Sequence, residues 1–156
     1  MAARESKRRE PLNLDPDCFW VYGRRGRESR VVRLLLARGR LFERGTPSPR
    51  RGGWYRAPKS CFRNAYLNAD RDRGRYLYCE GFCWYDGGWP FRHAWFIDRQ
   101  APDEALDTTL TRDEKYRYFG ISVSWRSAWA VRRAENGHAS VLDYWEKMYW
   151  QRKRKG

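Results

Sequence analysis

Two segments of the chain, one at its midpoint and one in its second half, alternate in a way that only a β-strand satisfies. Residues 75–82 read RYLYCEGF and residues 118–125 read YFGISVSW, with matched side chains at every second position. A two-residue period places alternate side chains on opposite faces of a strand, so each segment is predicted to be a strand with one face buried. HAWFI, residues 93–97, predicts a shorter strand with His93, Trp95 and Ile97 on one face, and EALDTTL, residues 104–110, predicts a further strand-like segment.

Three other segments carry a helical pattern. The dense apolar run from Ser29 to Phe42 predicts a partly buried helix with Ser29 as its N-cap, weakened in its last turn by Gly39. A second helix is predicted to begin at Cys61 and to end at the run DRDRG, residues 70–74, and a third follows the capping-box pattern at Ser140. The Pro- and Gly-rich residues 44–59 between the first two are predicted to be a loop. Helices and antiparallel-looking strands in this order predict the α+β class.

The length of the chain predicts one domain. Its 156 residues include 17% aromatic side chains, from which we expect the core to be built. Residues 1–15 lack periodicity and are predicted to be a disordered basic arm, residues 16–150 the single domain, and residues 151–156 a basic tail.

The charge of the chain predicts attraction to something anionic. A formal net charge of +14 and a pI near 10.1 suit nucleic acid, a membrane surface, a cell-wall polymer or an acidic protein, without choosing between them. No apolar run has the length of a transmembrane segment, and no hydrophobic stretch follows the charged first residues as in a signal peptide, so the expected compartment is the cytoplasm. The sequence does not reveal the oligomeric state.

The four cysteines, Cys18, Cys61, Cys79 and Cys83, are expected to be free thiols, because the chain has no secretory features. The alternative is a zinc site in which Cys79 and Cys83 join Cys61 and His93. The CxxxC spacing lacks the tight spacing that structural zinc sites use, so no metal and no cofactor are predicted.

Cys61 stands where chemistry would favour a thiolate. The unpaired N–H groups and the dipole at a helix start stabilise negative charge on sulfur. A cysteine nucleophile also needs a base and a group that orients the base. His93 lies on a predicted strand and Asp107 on the next strand-like segment, so a helix start facing these two strands would bring the three side chains together.

The motifs CFRNA at a helix start, RYLYCEGF, HAWFI and ALDTT, taken in this order, resemble the core of transglutaminase-like proteins in the papain-like superfamily. The resemblance covers residues 58–123. It implies a catalytic triad of Cys61, His93 and Asp107, and a papain- or transglutaminase-like core in which the helix headed by the cysteine packs on a small antiparallel sheet. The family often has proline where Thr108 stands here, and commonly a tryptophan shortly before the aspartate, where this chain has Ala105 and Leu106.

Other residues near these motifs have simpler interpretations. Asp98, Asp103 and Glu104 are alternative orienting acids, although they match no motif position. His138, after a turn signal, is expected to be a solvated loop residue, and Glu80 an exposed charge. The backbone N–H groups at Cys61 are the proposed oxyanion donors, and Trp54 or Tyr55 would flank the site.

The leading functional hypothesis is a cysteine-dependent acyl-transfer enzyme. It would act as an amide hydrolase, deamidase or transamidase on a peptide or amide substrate. If the positive charge of the chain serves the function, the substrate would be attached to an anionic partner. One alternative is a nucleic-acid-binding protein, because Arg and Lys interleave with Trp and Tyr, as in RRGGWYR and YWQRKRK. A second alternative is a catalytically silent scaffold with the same fold.

Overall fold

The computed structural model describes residues 29–47, 53–85, 88–110 and 115–155, and it confirms the mixed α+β class. The elements, in chain order, are α1 (Arg30–Arg38), β1 (Arg40–Gly45), α2 (Cys61–Asp70), β2 (Tyr76–Tyr85), β3 (Phe91–Asp98), β4 (Ala101–Leu106), β5 (Tyr116–Val123), α3 (Trp125–Ala134) and α4 (Val141–Lys153). The predicted arm at residues 1–15 and Cys18 lie outside the described residues.

The first predicted helix is right at its start and wrong at its end. The Ser29 side chain accepts a hydrogen bond from the N–H of Val32, so the predicted N-cap is confirmed. The helix ends at Arg38, and Leu41 and Phe42 belong to β1 instead. At Gly39 a Cβ atom would lie 2.4 Å from the Leu35 carbonyl oxygen, so only glycine fits where the chain leaves the helix.

The five strands form one closed sheet in the order β1-β4-β3-β2-β5, with β5 returning to β1. The pairing of β1 with β4 is parallel and the other pairings are antiparallel. The prediction of an antiparallel sheet is therefore correct for most pairs and wrong for this one. The sheet closes through β1, whose first residues belong to a helix by sequence pattern alone.

The inside of the closed sheet is filled by side chains from all five strands. They include Phe42, Cys79, Cys83, Trp95, Ile97, Ala105, Tyr116 and Tyr118. Gly81 of β2 faces Gly120 of β5, and a Cβ at either position would lie within about 2.2 Å of a backbone oxygen of the other strand. The two glycines therefore let β2 and β5 approach closely.

Helix α2 packs on the outer face of β2 and β3. Its buried Ala65, Tyr66 and Ala69 meet Tyr78 and Phe96 of the sheet. Helix α3 was not predicted from the sequence. Helix α4 begins at the predicted cap, where the Ser140 side chain accepts from the N–H of Asp143, and runs to Lys153, three residues into the predicted tail. Within the described ranges, none of the helices has the length and apolar character needed to cross a membrane.

Candidate active site

Cys61 is the first residue of α2 and is partly exposed. Ser60 stands at the N-cap position, but its hydroxyl donates to the Pro58 carbonyl at 3.2 Å and does not cap the helix. The N–H groups of the first turn therefore have no side-chain acceptor from the cap, and no acidic residue occupies that turn. This leaves the positive end of the helix dipole without a compensating negative side chain at the Cys61 end of α2.

His93 and Asp107 meet at one end of two neighbouring strands. His93 is near the start of β3, and Asp107 directly follows the last residue of β4, which pairs antiparallel with β3. The Nε2 atom of His93 lies 2.7 Å from Oδ2 of Asp107, and both side chains are almost fully buried. The carboxylate thereby fixes the orientation of the imidazole, with Nδ1 as the ring nitrogen left for another partner.

Asp107 is itself held from three directions. The hydroxyl of Tyr118 donates to Oδ2 at 2.9 Å. The N–H groups of Thr109 and Leu110 donate to Oδ1 at 2.8 and 3.3 Å. A carboxylate that accepts this many hydrogen bonds stays ionised and keeps one orientation.

The pKa values of the pair are displaced in opposite directions. Burial lowers the pKa of His93, but the hydrogen bonds and charges of Asp107 and Cys61 outweigh burial and raise it to about 9. Burial raises the pKa of Asp107, but His93 and the two backbone N–H groups lower it overall. The raised pKa of His93 favours the protonated imidazole, with Asp107 as its hydrogen-bond partner and Cys61 as a further group that stabilises the charge.

Two asparagines of α2 tie the helix to the turn that carries Asp107. Asn68 donates to the Thr108 hydroxyl at 3.0 Å, and that hydroxyl donates to the Tyr55 carbonyl at 2.6 Å. Asn64 donates to the Thr109 hydroxyl at 2.8 Å. Thr108, where the family often has proline, therefore has a hydrogen-bonding role that proline could not perform.

The same asparagines also hold the segment that precedes the helix. Asn68 accepts from the N–H of Tyr55 and donates to its carbonyl, and Asn64 makes the same pair of bonds with Ala57. Both side chains are fully buried. Cys61, the segment before it and the Asp107 turn are thus joined in one hydrogen-bonded unit.

The alternative acids are engaged elsewhere. Asp98 pairs with Arg75, and Asp103 pairs with Arg40. Glu104 is exposed on β4. Only Asp107, among the acids considered, contacts His93.

The cysteines of the alternative zinc site do not gather around a metal position. Cys79 and Cys83 are buried free thiols inside the closed sheet, and burial raises the pKa of each. The described part of the chain contains no group of three or more His, Cys, Asp or Glu side chains arranged to hold a metal ion.

Glu80 was expected to be exposed and is fully buried. Its carboxylate accepts from the Tyr78 hydroxyl at 2.6 Å, from the Ser140 hydroxyl at 2.7 Å, and from the N–H groups of Val141 and Leu142. Glu80 lies on the outer face of β2, opposite the start of α4, and its carboxylate therefore caps that helix. An alternating pattern predicts which face a residue occupies, but not whether a helix covers that face.

The expectation for His138 is correct in part, because the residue lies in the loop before α4 and is only partly buried. Its ring contacts Tyr66 edge-on at 5.3 Å between centroids, and its Nδ1 atom is buried without a hydrogen-bond partner. Of the two aromatics expected to flank the site, Trp54 packs in the core against Phe96. Tyr55 is exposed, with the Arg63 guanidinium near its ring.

Of the three residues that sequence reasoning named, His93 and Asp107 are in contact, and Cys61 acts on the pKa of His93; Tyr118, Asn64 and Asn68 were not named. The asparagines could have been found, because positions 64 and 68 share a helical face and are polar where a buried face would be apolar. Tyr118 gave no comparable signal, because its contact depends on how the sheet closes.

Comparison with models of known families, with curated proteins and with solved structures finds no match to this chain.

Proposed function

We propose that this protein is a cysteine-dependent acyl-transfer enzyme with Cys61 as nucleophile, His93 as proton carrier and Asp107 as the group that orients His93. The observation that carries the proposal is the buried 2.7 Å contact between His93 and Asp107, and Cys61 is among the groups that raise the pKa of the same imidazole. A transglutaminase- or papain-like core is part of the proposal and is supported by the helix-on-sheet arrangement of α2.

The first half of the reaction forms an acyl-enzyme. The imidazolium of His93 beside Cys61 favours the thiolate, which attacks the carbonyl carbon of an amide and forms a C–S bond. The oxyanion that develops would accept hydrogen bonds from the N–H groups at the start of α2, which have no side-chain cap. His93 then gives its proton to the leaving nitrogen as the C–N bond breaks, and an amine or ammonia departs.

The second half releases the acyl group. Neutral His93 takes a proton from water or from an acceptor amine, and the resulting nucleophile attacks the thioester carbon. The C–S bond breaks, and Cys61 returns to the thiolate beside a protonated His93. Water as acceptor gives hydrolysis or deamidation, and an amine gives transamidation.

An activated ester tests the proposal through the acyl-enzyme itself. With p-nitrophenyl acetate, we expect a burst of about one equivalent of p-nitrophenol and acetylation of Cys61 detected by peptide mass spectrometry. Cys61→Ala should abolish both, and Cys79→Ala is the matched control, since Cys79 is buried away from solvent. Acetylation spread over several residues, or a burst that survives Cys61→Ala, would contradict the proposal.

A nucleic-acid-binding role is the second candidate, because arginines lie over exposed aromatic rings. The Arg133 guanidinium lies 4.8 Å from the ring centroid of Trp129, which is 45% exposed, and Trp89 is 71% exposed. Exposed rings with adjacent cations are what base stacking requires. Affinity for a single-stranded oligonucleotide that falls steeply with salt, drops in Trp129→Ala and is unchanged in Cys61→Ala would support this role.

A further inference from the structure

The carboxylate of Asp107 accepts four hydrogen bonds, and two of the donors share one oxygen. Oδ1 accepts from the N–H groups of Thr109 and Leu110. Oδ2 lies 2.7 Å from Nε2 of His93 and also accepts from the Tyr118 hydroxyl at 2.9 Å. A carboxylate offers about four lone-pair positions, so this one is saturated. The Tyr118 hydroxyl and the imidazole of His93 therefore compete for the electron density of Oδ2.

Tyr118 is fixed both in its position and in its protonation state. Its side chain is fully buried inside the closed sheet, and its ring lies 6.2 Å from the ring of His93 and 5.3 Å from that of Trp95, measured between centroids. Burial, followed by the charges of Asp107 and Cys83, raises the pKa of its hydroxyl far above the ordinary tyrosine value. The hydroxyl therefore stays protonated at neutral pH and donates to Asp107.

The proposed reaction needs His93 in two protonation states. Protonated His93 gives its proton to the leaving nitrogen, and neutral His93 takes a proton from water or an amine when the acyl group is released. With a pKa of about 9, only about 1% of His93 is neutral at pH 7, so the neutral base is the scarce form. In the acyl-enzyme the Cys61 sulfur is esterified and carries no charge, and Asp107 is then the group that still raises the pKa of His93.

We infer that Tyr118 is a positioning residue for the proposed acyl transfer: by donating to the oxygen that faces His93, its hydroxyl weakens that oxygen as an acceptor and makes the imidazolium a stronger acid. The inference rests on the proposed function, because a more acidic His93 returns more readily to the neutral base that releases the acyl group. A hydrogen bond to a carboxylate stabilises its charge, and so reduces what the same carboxylate gains from a neighbouring cation. The other titratable or charged groups that act on His93 and Tyr118, among the described residues, are Cys61 of α2, Cys83 of β2 and Arg44 of β1.

An NMR titration of the His93 ring in Tyr118→Phe tests the inference directly. The chain has two histidines, so a His138→Gln sample assigns the ring signals of His93. The comparison is made in Cys61→Ala, where the titration depends neither on the thiol nor on catalysis. We expect Tyr118→Phe to raise the midpoint by about half a unit or more, because Asp107 regains the capacity that the hydroxyl had used.

Matched changes separate this effect from a general disturbance of the core. Tyr116→Phe removes a hydroxyl two positions away on the same face of β5, where the ring packs edge-on against Tyr85, and it should leave the His93 midpoint unchanged. Replacement of Tyr118 by 3-fluorotyrosine gives a stronger donor of nearly the same size, and it should lower the midpoint even if Tyr118→Phe folds poorly. An unchanged or lowered midpoint in folded Tyr118→Phe would overturn the inference, since a merely structural contact would loosen the pair of His93 and Asp107 and lower the pKa of His93.

The release step gives a second measurement with p-nitrophenyl acetate. Its steady-state hydrolysis after the burst reports deacylation of Cys61, which requires neutral His93. In Tyr118→Phe the midpoint of this rate against pH should move upward with the NMR midpoint, and the rate at pH 7 should fall about twofold while the rate at high pH does not fall. A fall at every pH without a shifted midpoint would overturn the inference. A raised NMR midpoint in a protein that shows no burst would keep the action of Tyr118 on His93 and remove the acyl-transfer function.

Discussion

The imidazole of His93 is the residue on which the electrostatics of the site depend. Its raised pKa results from Asp107 and Cys61 acting against burial. The stabilisation from this raised pKa is complete below the ordinary histidine pKa of about 6.5, and it is lost as pH rises through about 9. The pH dependence of stability has the opposite sign for Asp107, because its pKa is lowered in the folded state. The stabilisation that Asp107 contributes is lost as pH falls through its folded-state pKa.

Asp107→Asn should lower the pKa of His93. The substitution removes the charge and the hydrogen bond that raise this pKa, while the burial that lowers it remains. We expect an NMR titration of the His93 ring to show a midpoint near 9 in the wild type and a value lower by about one unit or more in Asp107→Asn. Asp103→Asn, on an exposed acid that pairs with Arg40, is the control and should leave the midpoint unchanged. Equal midpoints in wild type and Asp107→Asn would show that Asp107 does not determine the state of His93.

At the scale of elements, helix α2 positions the site through its asparagines as well as through Cys61. Asn68→Ala would leave the N–H of Tyr55 without its buried acceptor, and the Tyr55 carbonyl and the Thr108 hydroxyl would keep only the hydrogen bond to each other. We expect a loss of about 1–3 kcal/mol in the free energy of unfolding, measured by urea denaturation. Ser122→Ala, on an exposed residue of β5, should stay within about 0.5 kcal/mol of the wild type. A loss no larger than that of the control would mean that the hydrogen-bonded unit contributes nothing to stability.

Helix α4 depends on a carboxylate from the sheet. Glu80→Ala would remove the acceptor for the N–H groups of Val141 and Leu142 and for the Tyr78 hydroxyl, all of them buried. The expected loss in the free energy of unfolding is about 3 kcal/mol or more, since several buried donors are left unpaired. Glu135→Ala, which breaks an exposed ion pair with Lys147, should cost under about 1 kcal/mol. Similar losses in the two variants would contradict the capping role of Glu80.

The elements were predictable where one local pattern decided them and not where tertiary packing did. An alternating pattern predicts the strand that contains Cys79, and helical spacing predicts the helix that begins at Cys61. In both cases the packing of neighbouring segments agrees with the local pattern. The run from Ser29 to Phe42 was misread, because an apolar helix end and a buried strand share the same composition, and the boundary depends on the close approach of Gly39 to Leu35 and Phe119. The contact between His93 and Asp107 was predictable because the two residues lie on strand-like segments that follow each other along the chain.

At the scale of the whole molecule, closure of the sheet brings β5 and its Tyr118 to Asp107. This closure requires the approach of β2 and β5 at Gly81 and Gly120. In Gly120→Ala the new Cβ would lie 2.2 Å from the Glu80 carbonyl oxygen and 2.6 Å from the Trp95 ring. No side-chain pattern predicts that approach, because it depends on how distant strands meet.

We expect Gly120→Ala to lose at least about 3 kcal/mol in the free energy of unfolding, because backbone must move to admit the methyl group. Gly74→Ala makes the same chemical change where a Cβ would meet only Asp72 at an ordinary 3.4 Å, and it should stay within about 1 kcal/mol of the wild type. Urea denaturation gives the free energy of unfolding of Gly120→Ala and of Gly74→Ala for comparison with the wild type. If the two behave alike, the strands do not approach at Gly120 as described.

The most direct test of the central claim is the pH dependence of Cys61 alkylation by iodoacetamide, followed by mass spectrometry in the wild type and in His93→Ala. Cys79 and Cys83 serve as internal controls, since both are buried. If His93 activates the thiol, Cys61 should be labelled faster at neutral pH in the wild type than in His93→Ala. Labelling of Cys61 with the pH dependence of an ordinary thiol in both proteins would contradict the account.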